Sequence, residues 1–171
     1  MVGKKIDLLF AAAALGLGAL LQATLASRMP VFGARVDIVL LMVVIWAITR
    51  ELREAVVWGL LGGALLDLFS AAPFGTSVLA LGVVAVVASW LNQLFRRSQI
   101  LALFILVPIS TVVCNLLRAL VMQRLGWPID YPATVALVVL PSCLVNTLAA
   151  PVVYAVLMAV APRPARPARF A

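Results

Sequence analysis

Long apolar segments follow one another along this chain, joined only by short polar connections. An α-helix needs about 20 predominantly apolar residues to cross a bilayer, and several of the segments approach that length. Hydrophobic residues make up 65% of the 171 residues and charged residues 11%, against about 45–50% and about 25% in soluble domains. A soluble core of this size could not shield so much apolar surface from water. The pattern predicts an all-α protein that crosses a membrane repeatedly.

Six transmembrane helices can be assigned to the apolar segments. The first exceeds the apolar core of a signal peptide, about 7–15 residues, so we expect an uncleaved helix. The second and third span only if Asp37 and Asp67 join their ends; the alternative is a hairpin that does not cross, and the charged turn between them favours two crossings. We expect one transmembrane domain over 1–160 and a disordered cytoplasmic tail over 161–171. The predicted helices are 8–27, 38–49, 55–66, 76–95, 100–122 and 135–160.

Lysine and arginine are distributed unequally between the two sides of this arrangement. With six crossings, nine of the 13 basic residues fall on the side of the chain ends, three fall on the other side, and Arg118 lies within a helix. Basic loops remain in the cytoplasm, so both termini are expected there. The formal charge of +7 is thus explained by topology, and no nucleic-acid partner is expected.

Two charged residues within the predicted helices are the first candidates for function, because a charge at a helix centre costs about 2.5–3.5 kcal/mol. Asp67 follows Gly59 and Gly63, whose spacing lets another helix approach closely. It is either a buried contact or binding site at a helix seam, or an aspartate wetted at the outer surface. Arg118 either pairs with an acid, Asp37 or Asp67, or extends to the outer interface, which its place near a helix end favours.

Other polar side chains have simpler interpretations. Asn115 shares a helix face with Arg118. Asn146 is expected to hydrogen-bond to a neighbouring helix rather than to a ligand. Arg50 and Arg53 lie in a turn of alternating charge at 50–54. They either contact a cytoplasmic partner or belong to a solvated turn, and we expect the solvated turn.

Residues suited to catalysis are scarce. Histidine is absent, and Cys114 and Cys143 lie in apolar stretches without metal-ligand spacing. The chain has no paired carboxylates at a recognisable spacing, no phosphate-binding glycine loop and no combination of nucleophile and base. We therefore expect no enzyme activity, no catalytic residue, no cofactor and no metal site.

The glycine, proline and polar landmarks occur in an order that identifies a family resemblance over almost the whole chain. These landmarks are the segments 36–41, 59–70, 73–75 and 140–147 together with Trp46, Arg50 and Pro151. In this order they resemble the MreD family of rod shape-determining proteins. Val36 departs from the pattern, since family members commonly have proline before the aspartate.

The resemblance implies a scaffold in the bacterial inner membrane, part of the elongation complex that directs peptidoglycan synthesis and rod shape. It implies an MreC-like membrane protein as partner, with MreB, RodA and a class B penicillin-binding transpeptidase in the wider complex, and membrane lipid around it. Gly59, Gly62 and Gly63 would allow close packing, internally or with the partner. Pro73, Phe74 and Gly75 would shape the periplasmic end.

The resemblance also implies a second candidate function. The six-helix fold of the family is similar to the substrate-binding subunits of energy-coupling-factor transporters. A vitamin-type small molecule could then bind in an outward-facing pocket, which needs converging polar and aromatic groups. The outer-side candidates are Asp67, Arg118, Trp127 and Tyr131.

Overall fold

The computed structural model of the chain describes residues 2–26, 36–70, 73–95 and 98–161. Within these residues all regular secondary structure is helical, as predicted. The tail expected to be disordered lies, apart from Ala161, outside the described residues. A short 3₁₀ turn, Gln93–Phe95, extends the fourth helix. The helices are α1 (Val2–Ala26), α2 (Ile38–Thr49), α3 (Leu52–Phe69), α4 (Thr76–Asn92), α5 (Gln99–Arg124), α6 (Tyr131–Thr134), a π-helix (Val135–Val139) and α7 (Leu140–Val160).

Three helical stretches of the described chain are long and apolar enough to cross a membrane. They are Thr76–Phe95, Gln99–Arg124 and Tyr131–Val160, the last of which joins α6, the π-helix and α7. The apolar parts of α1 and α2 are shorter, at Leu9–Thr24 and Ile38–Thr49.

The predicted start of the third helix is wrong. Helix α3 begins at Leu52, so Arg53 and Glu54 are helical, and the interfacial turn is reduced to Arg50 and Glu51. Glu51 has extended backbone geometry, and Glu54 lies in the first turn, where an acidic side chain interacts favourably with the partial positive charge of the helix N-terminus. The charged residues at 50–54 therefore include the first turn of α3 and do not form only a loop.

The last helical stretch also begins earlier than predicted, at Tyr131, and contains a π-helix. Pro141 follows the π-helix by two residues. A proline lacks the N–H that would bond four residues back, and its ring collides with that carbonyl group. A widened turn before Pro141 relieves the collision, which accounts for the π geometry at Val135–Val139.

Helix α2 occupies the centre of the bundle. It packs against α1, α3, α4, α5 and α7, and these five surround it in the order α1, α3, α4, α5, α7. Its residues 39–48 are each at most 7% exposed. In the described residues, α1 and α7 do not pack against each other, so they form the two edges of the surrounding layer.

The outward faces of the bundle are apolar. Large side chains such as Leu94, at 76% exposure, and Leu148, at 78%, point away from the core. Trp90 and Trp127 are also exposed, near opposite ends of the antiparallel pair α4 and α5, as in the aromatic belts of membrane proteins. Water does not favour so large an apolar surface, whereas hydrocarbon does. The chain is a helical membrane protein.

Candidate functional site

The first polar cluster surrounds the beginning of α2. Asp37 is the N-cap of this helix, and its carboxylate accepts a hydrogen bond from the backbone N–H of Leu40 at 3.1 Å. The other carboxylate oxygen pairs with Nη1 of Arg118, on α5, at 2.8 Å. The backbone N–H of Asp37 donates to Oδ1 of Asn146, on α7, at 2.9 Å. The N–H of Val39 donates to Oε1 of Gln22, on α1, at 3.1 Å. Three surrounding helices therefore satisfy the first turn of α2.

Asn146 connects this turn to the interior of α5. It is 1% exposed, and its Nδ2 donates to the hydroxyl oxygen of Thr111 at 3.2 Å. That hydroxyl group donates to the carbonyl oxygen of Val107. Asn115, one turn further on, donates to the carbonyl oxygen of Thr111 at 2.9 Å. We call Gln22, Asp37, Thr111, Arg118 and Asn146 the α2 cap cluster.

The expectation that Arg118 extends to the outer interface is corrected by this geometry. Of the two acids considered as partners, the structure places Asp37 against its guanidinium group. The side chains of Arg118 and Asp37 are 25% and 13% exposed, so the pair is largely removed from the surroundings. A charge in a poorly solvating environment is far more stable beside an opposite charge, which explains why Arg118 turns inward.

The second polar cluster joins the end of α3 to the start of α4. Asp67 is 4% exposed, so it is not wetted at the outer surface. Its carboxylate accepts hydrogen bonds from the backbone N–H groups of Gly75 at 2.7 Å, Ser77 at 3.0 Å and Val78 at 3.4 Å. These N–H groups have no partner within their own helix, so Asp67 caps α4 from the preceding helix. We call this contact the α3–α4 clamp.

Two glycines of α3 allow that clamp to form. A Cβ atom on Gly63 would lie 2.5 Å from Cα of Val78, and one on Gly59 would lie 2.7 Å from the carbonyl oxygen of Leu81. Both distances are impossible for a real side chain, so α3 and α4 touch backbone to backbone. Gly62 faces α2 instead, and a Cβ atom there would lie 2.8 Å from a methyl group of Val39. All three glycines serve packing inside the bundle.

The turn before α4 directs a large side chain outward. Gly75 has φ of +101°, a conformation that other residues rarely adopt. Phe74, next to it, is 70% exposed, and Pro73 accepts a hydrogen bond from the hydroxyl group of Thr76 through its carbonyl oxygen at 2.9 Å. Residues 71 and 72 of the predicted turn lie outside the described residues. The clamp therefore holds Phe74 at the surface of this end of the bundle.

Arg50 and Arg53, the candidates for contact with a cytoplasmic partner, lie in different environments. The guanidinium carbon of Arg50 lies 5.0 Å from the ring centroid of Trp46, within the range of a cation–π contact. Trp46 stacks on Trp58 at 3.9 Å between ring centroids, and Phe10 approaches both rings at 6.1 Å. Arg53 is exposed. This aromatic cluster and the roles of Gln22 and Thr111 could not be predicted from the sequence, since the spacing of these residues does not indicate which residues they contact.

The residues proposed for a small-molecule pocket do not converge. Asp67 is held by the α3–α4 clamp and Arg118 by the α2 cap cluster. The hydroxyl group of Tyr131 donates to Oε1 of Gln123 at 2.6 Å, and Trp127 is exposed. Each of the four therefore has a different environment, so they do not form one ligand site.

Comparisons with known proteins identify the family. No curated protein and no solved structure matches the chain, so the similarity to energy-coupling-factor subunits stays a prediction. A family model described as rod shape-determining protein MreD matches residues 4–160. This match covers both polar clusters and every helix from α2 to α7. The chain belongs to the MreD family of rod shape-determining proteins.

Proposed function

We propose that this protein is a non-enzymatic scaffold of the bacterial elongation complex. It crosses the inner membrane six times within a single domain, keeps both termini in the cytoplasm, and binds an MreC-like membrane protein. Through this partner it acts with MreB, RodA and a class B penicillin-binding transpeptidase in directing peptidoglycan synthesis. Membership of a cell-shape family and the apolar outward faces support the proposal.

The proposal depends on the observation that the buried polar side chains bond to other parts of the bundle. Arg118 and Asn146 each bond to Asp37 at the start of α2, and Asp67 bonds to α4. An enzyme or a transporter needs polar groups directed towards a substrate, whereas these are directed at other parts of the bundle. Because these polar groups stabilise the bundle itself, they support a function as a rigid scaffold that binds other proteins through its outer surface.

The edge helix α1 is our candidate surface for the partner. Among the described helices it packs on α2 and α3 alone, and its outward face carries Leu9, Leu17 and Leu20, which are 71%, 61% and 49% exposed. In a bilayer, packing between apolar helices and small residues drives association. A single transmembrane helix of the MreC-like protein fits this face.

The six-span arrangement predicts opposite labelling of two exposed positions. In a variant with Cys114 and Cys143 replaced by alanine, a cysteine at Trp127 should react with a membrane-impermeant maleimide in intact cells. A cysteine at Glu51 should react only after permeabilisation, because α3, α4 and α5 separate the two positions. Labelling of both from outside would show that α2 and α3 form a hairpin that does not cross.

The scaffold function predicts a selective crosslink in native membranes. A photo-crosslinking amino acid at Leu17 of α1 should form a covalent adduct with the MreC-like protein, because the two helices pack directly there. The same amino acid at Val83, exposed on α4, is the matched control and should give none. Adducts are identified by their mass and by antibody to the partner.

Two results would contradict the proposal in different ways. Adducts at Val83 but not at Leu17 would move the partner to another face and leave the scaffold function standing. Failure of the full chain to co-purify with any MreC-like protein from native membranes would reject the scaffold function itself.

A further inference from the structure

An apolar groove of about 610 Å³ opens on one side of the π-helix and α7. We call it the α7 groove. Every side chain that lines it is apolar, and none belongs to the α2 cap cluster or the α3–α4 clamp. Its walls include Val36, Ala136, Leu140, Pro141, Leu144 and Leu148.

The groove exists because α2 is short. With 12 residues, α2 is about 18 Å long, whereas the hydrocarbon core of a bilayer is about 30 Å thick. The helix ends at Arg50 on the proposed cytoplasmic side, so it begins part-way across the membrane. Val36, just before its first turn, lies at the edge of the groove. Beside Val36, the described chain therefore places no helix like α2 against the outer half of α7.

The shape of the groove indicates what can fill it. The stretch of helix from Ala136 to Ala149 is about 20 Å long, so a volume of about 610 Å³ corresponds to a mean cross-section of roughly 30 Å². An α-helix with side chains is at least about 10 Å wide, or roughly 80 Å² in section. The groove therefore cannot enclose a helix, whereas it can enclose a hydrocarbon chain. Water gains little there, because every side chain that lines the walls is apolar.

A basic residue lies at the end of α5, beside the start of the helical stretch that carries the groove. The bond between Tyr131 and Gln123 joins the start of α6 to the last turn of α5, and Arg124 follows directly. Arg124 is exposed, and within the described chain it forms no ion pair. Tyr131 precedes Ala136, the first lining residue of the helix, by about 8 Å. Asp130 is nearby, but its carboxylate caps α6 through the N–H of Ala133.

We propose that the α7 groove binds one acyl chain of an outer-leaflet phospholipid, with the lipid phosphate at the guanidinium group of Arg124. Charge complementarity between the phosphate and Arg124 orients the headgroup towards the outer surface. The apolar walls then bury the chain. This inference rests on the membrane orientation given in the proposed function, but not on the MreC-like partner.

Native mass spectrometry of the full chain tests the site. The protein is solubilised in detergent, incubated with dioleoyl phosphatidylglycerol and diluted, and the fraction that retains one lipid is measured. Ala136→Trp and Leu144→Trp each place a large side chain in the groove from an exposed position. Each should lower retention about tenfold, the factor expected when roughly two methylene groups lose their burial. Arg124→Gln should lower retention by a smaller factor.

The control is Ala155→Trp, which is also exposed on α7 but does not line the groove. It should retain lipid like the parent protein. Equal retention in all variants, or no retained lipid in the parent, would overturn the proposal. A dimer mass that both groove variants abolish would assign the groove to a second copy of the chain instead. Loss of the lipid site with an intact crosslink at Leu17 leaves the proposed function standing.

Discussion

An Arg118→Leu variant is expected to lose about 3–5 kcal/mol of folding free energy, because the substitution leaves the carboxylate of Asp37 buried without its partner. The effect should extend to α2, since Asp37 caps that helix. The buried thiol of Cys114 provides the measurement. The temperature at which it reacts with a fluorogenic maleimide in detergent micelles should fall markedly.

A double variant separates loss of the ion pair from loss of packing. Asp37→Asn keeps an oxygen that can cap the first turn of α2 but removes the uncompensated charge. Asp37→Asn with Arg118→Leu should therefore be more stable than Arg118→Leu alone. Arg53→Leu, which removes an exposed arginine from α3, should change stability by less than about 1 kcal/mol. A double variant less stable than the single variant would show that the pair is not what Arg118 contributes.

Adding one methyl group at Gly63 is expected to destabilise the bundle by about 3 kcal/mol. Alanine normally favours a helix over glycine by roughly 0.5–1 kcal/mol. Here its Cβ atom would meet the backbone of Val78 at 2.5 Å, and backbone atoms cannot rotate away. Helices α3 and α4 must separate, which lengthens the bonds that Asp67 makes with the start of α4. Overpacking of this kind typically costs about 1–3 kcal/mol, and loss of the clamp adds to it.

Gly16→Ala is the matched control for that experiment. A Cβ atom on Gly16 of α1 would have no neighbour within 4 Å, so the same chemical change should be neutral or slightly stabilising. Thermal unfolding in the same detergent, followed by the thiol of Cys114, compares the two variants. Equal stability of Gly63→Ala and Gly16→Ala would show that α3 and α4 are not packed backbone to backbone.

Local patterns in the sequence were sufficient to predict that the fold is helical and that Gly59, Gly63 and Asp67 share one helix face. Gly59 and Gly63 lie one turn apart, and Asp67 follows by another turn, so the three share a face whatever the tertiary structure. Their partner helix is the next one along the chain, joined by a short turn that contains Gly75. A close helix contact beside Asp67 could therefore be predicted, whereas the burial of Asp67 and the identity of α4 as the partner helix were left open.

The α2 cap cluster could not be predicted in the same way. Asp37 meets Arg118 across 81 residues and Asn146 across 109. At such separations, the two candidate acids, Asp37 and Asp67, were equally compatible with Arg118. The choice depends on how far α2 extends across the bundle, a property of packing rather than of local pattern. The boundary of α3 was missed for a different reason, because a charged first turn resembles a solvated loop when only composition is considered.

The distances along the chain within this cluster have a consequence for biosynthesis. When α2 leaves the ribosome, neither Arg118 nor Asn146 has been translated, so its cap residue has no partner for its charge. Only Gln22, on the preceding helix, is already available to its first turn. Helix α2 can therefore reach its final central position only after the C-terminal half of the chain has been inserted. The contacts of the second helix are therefore completed by residues synthesised long after it.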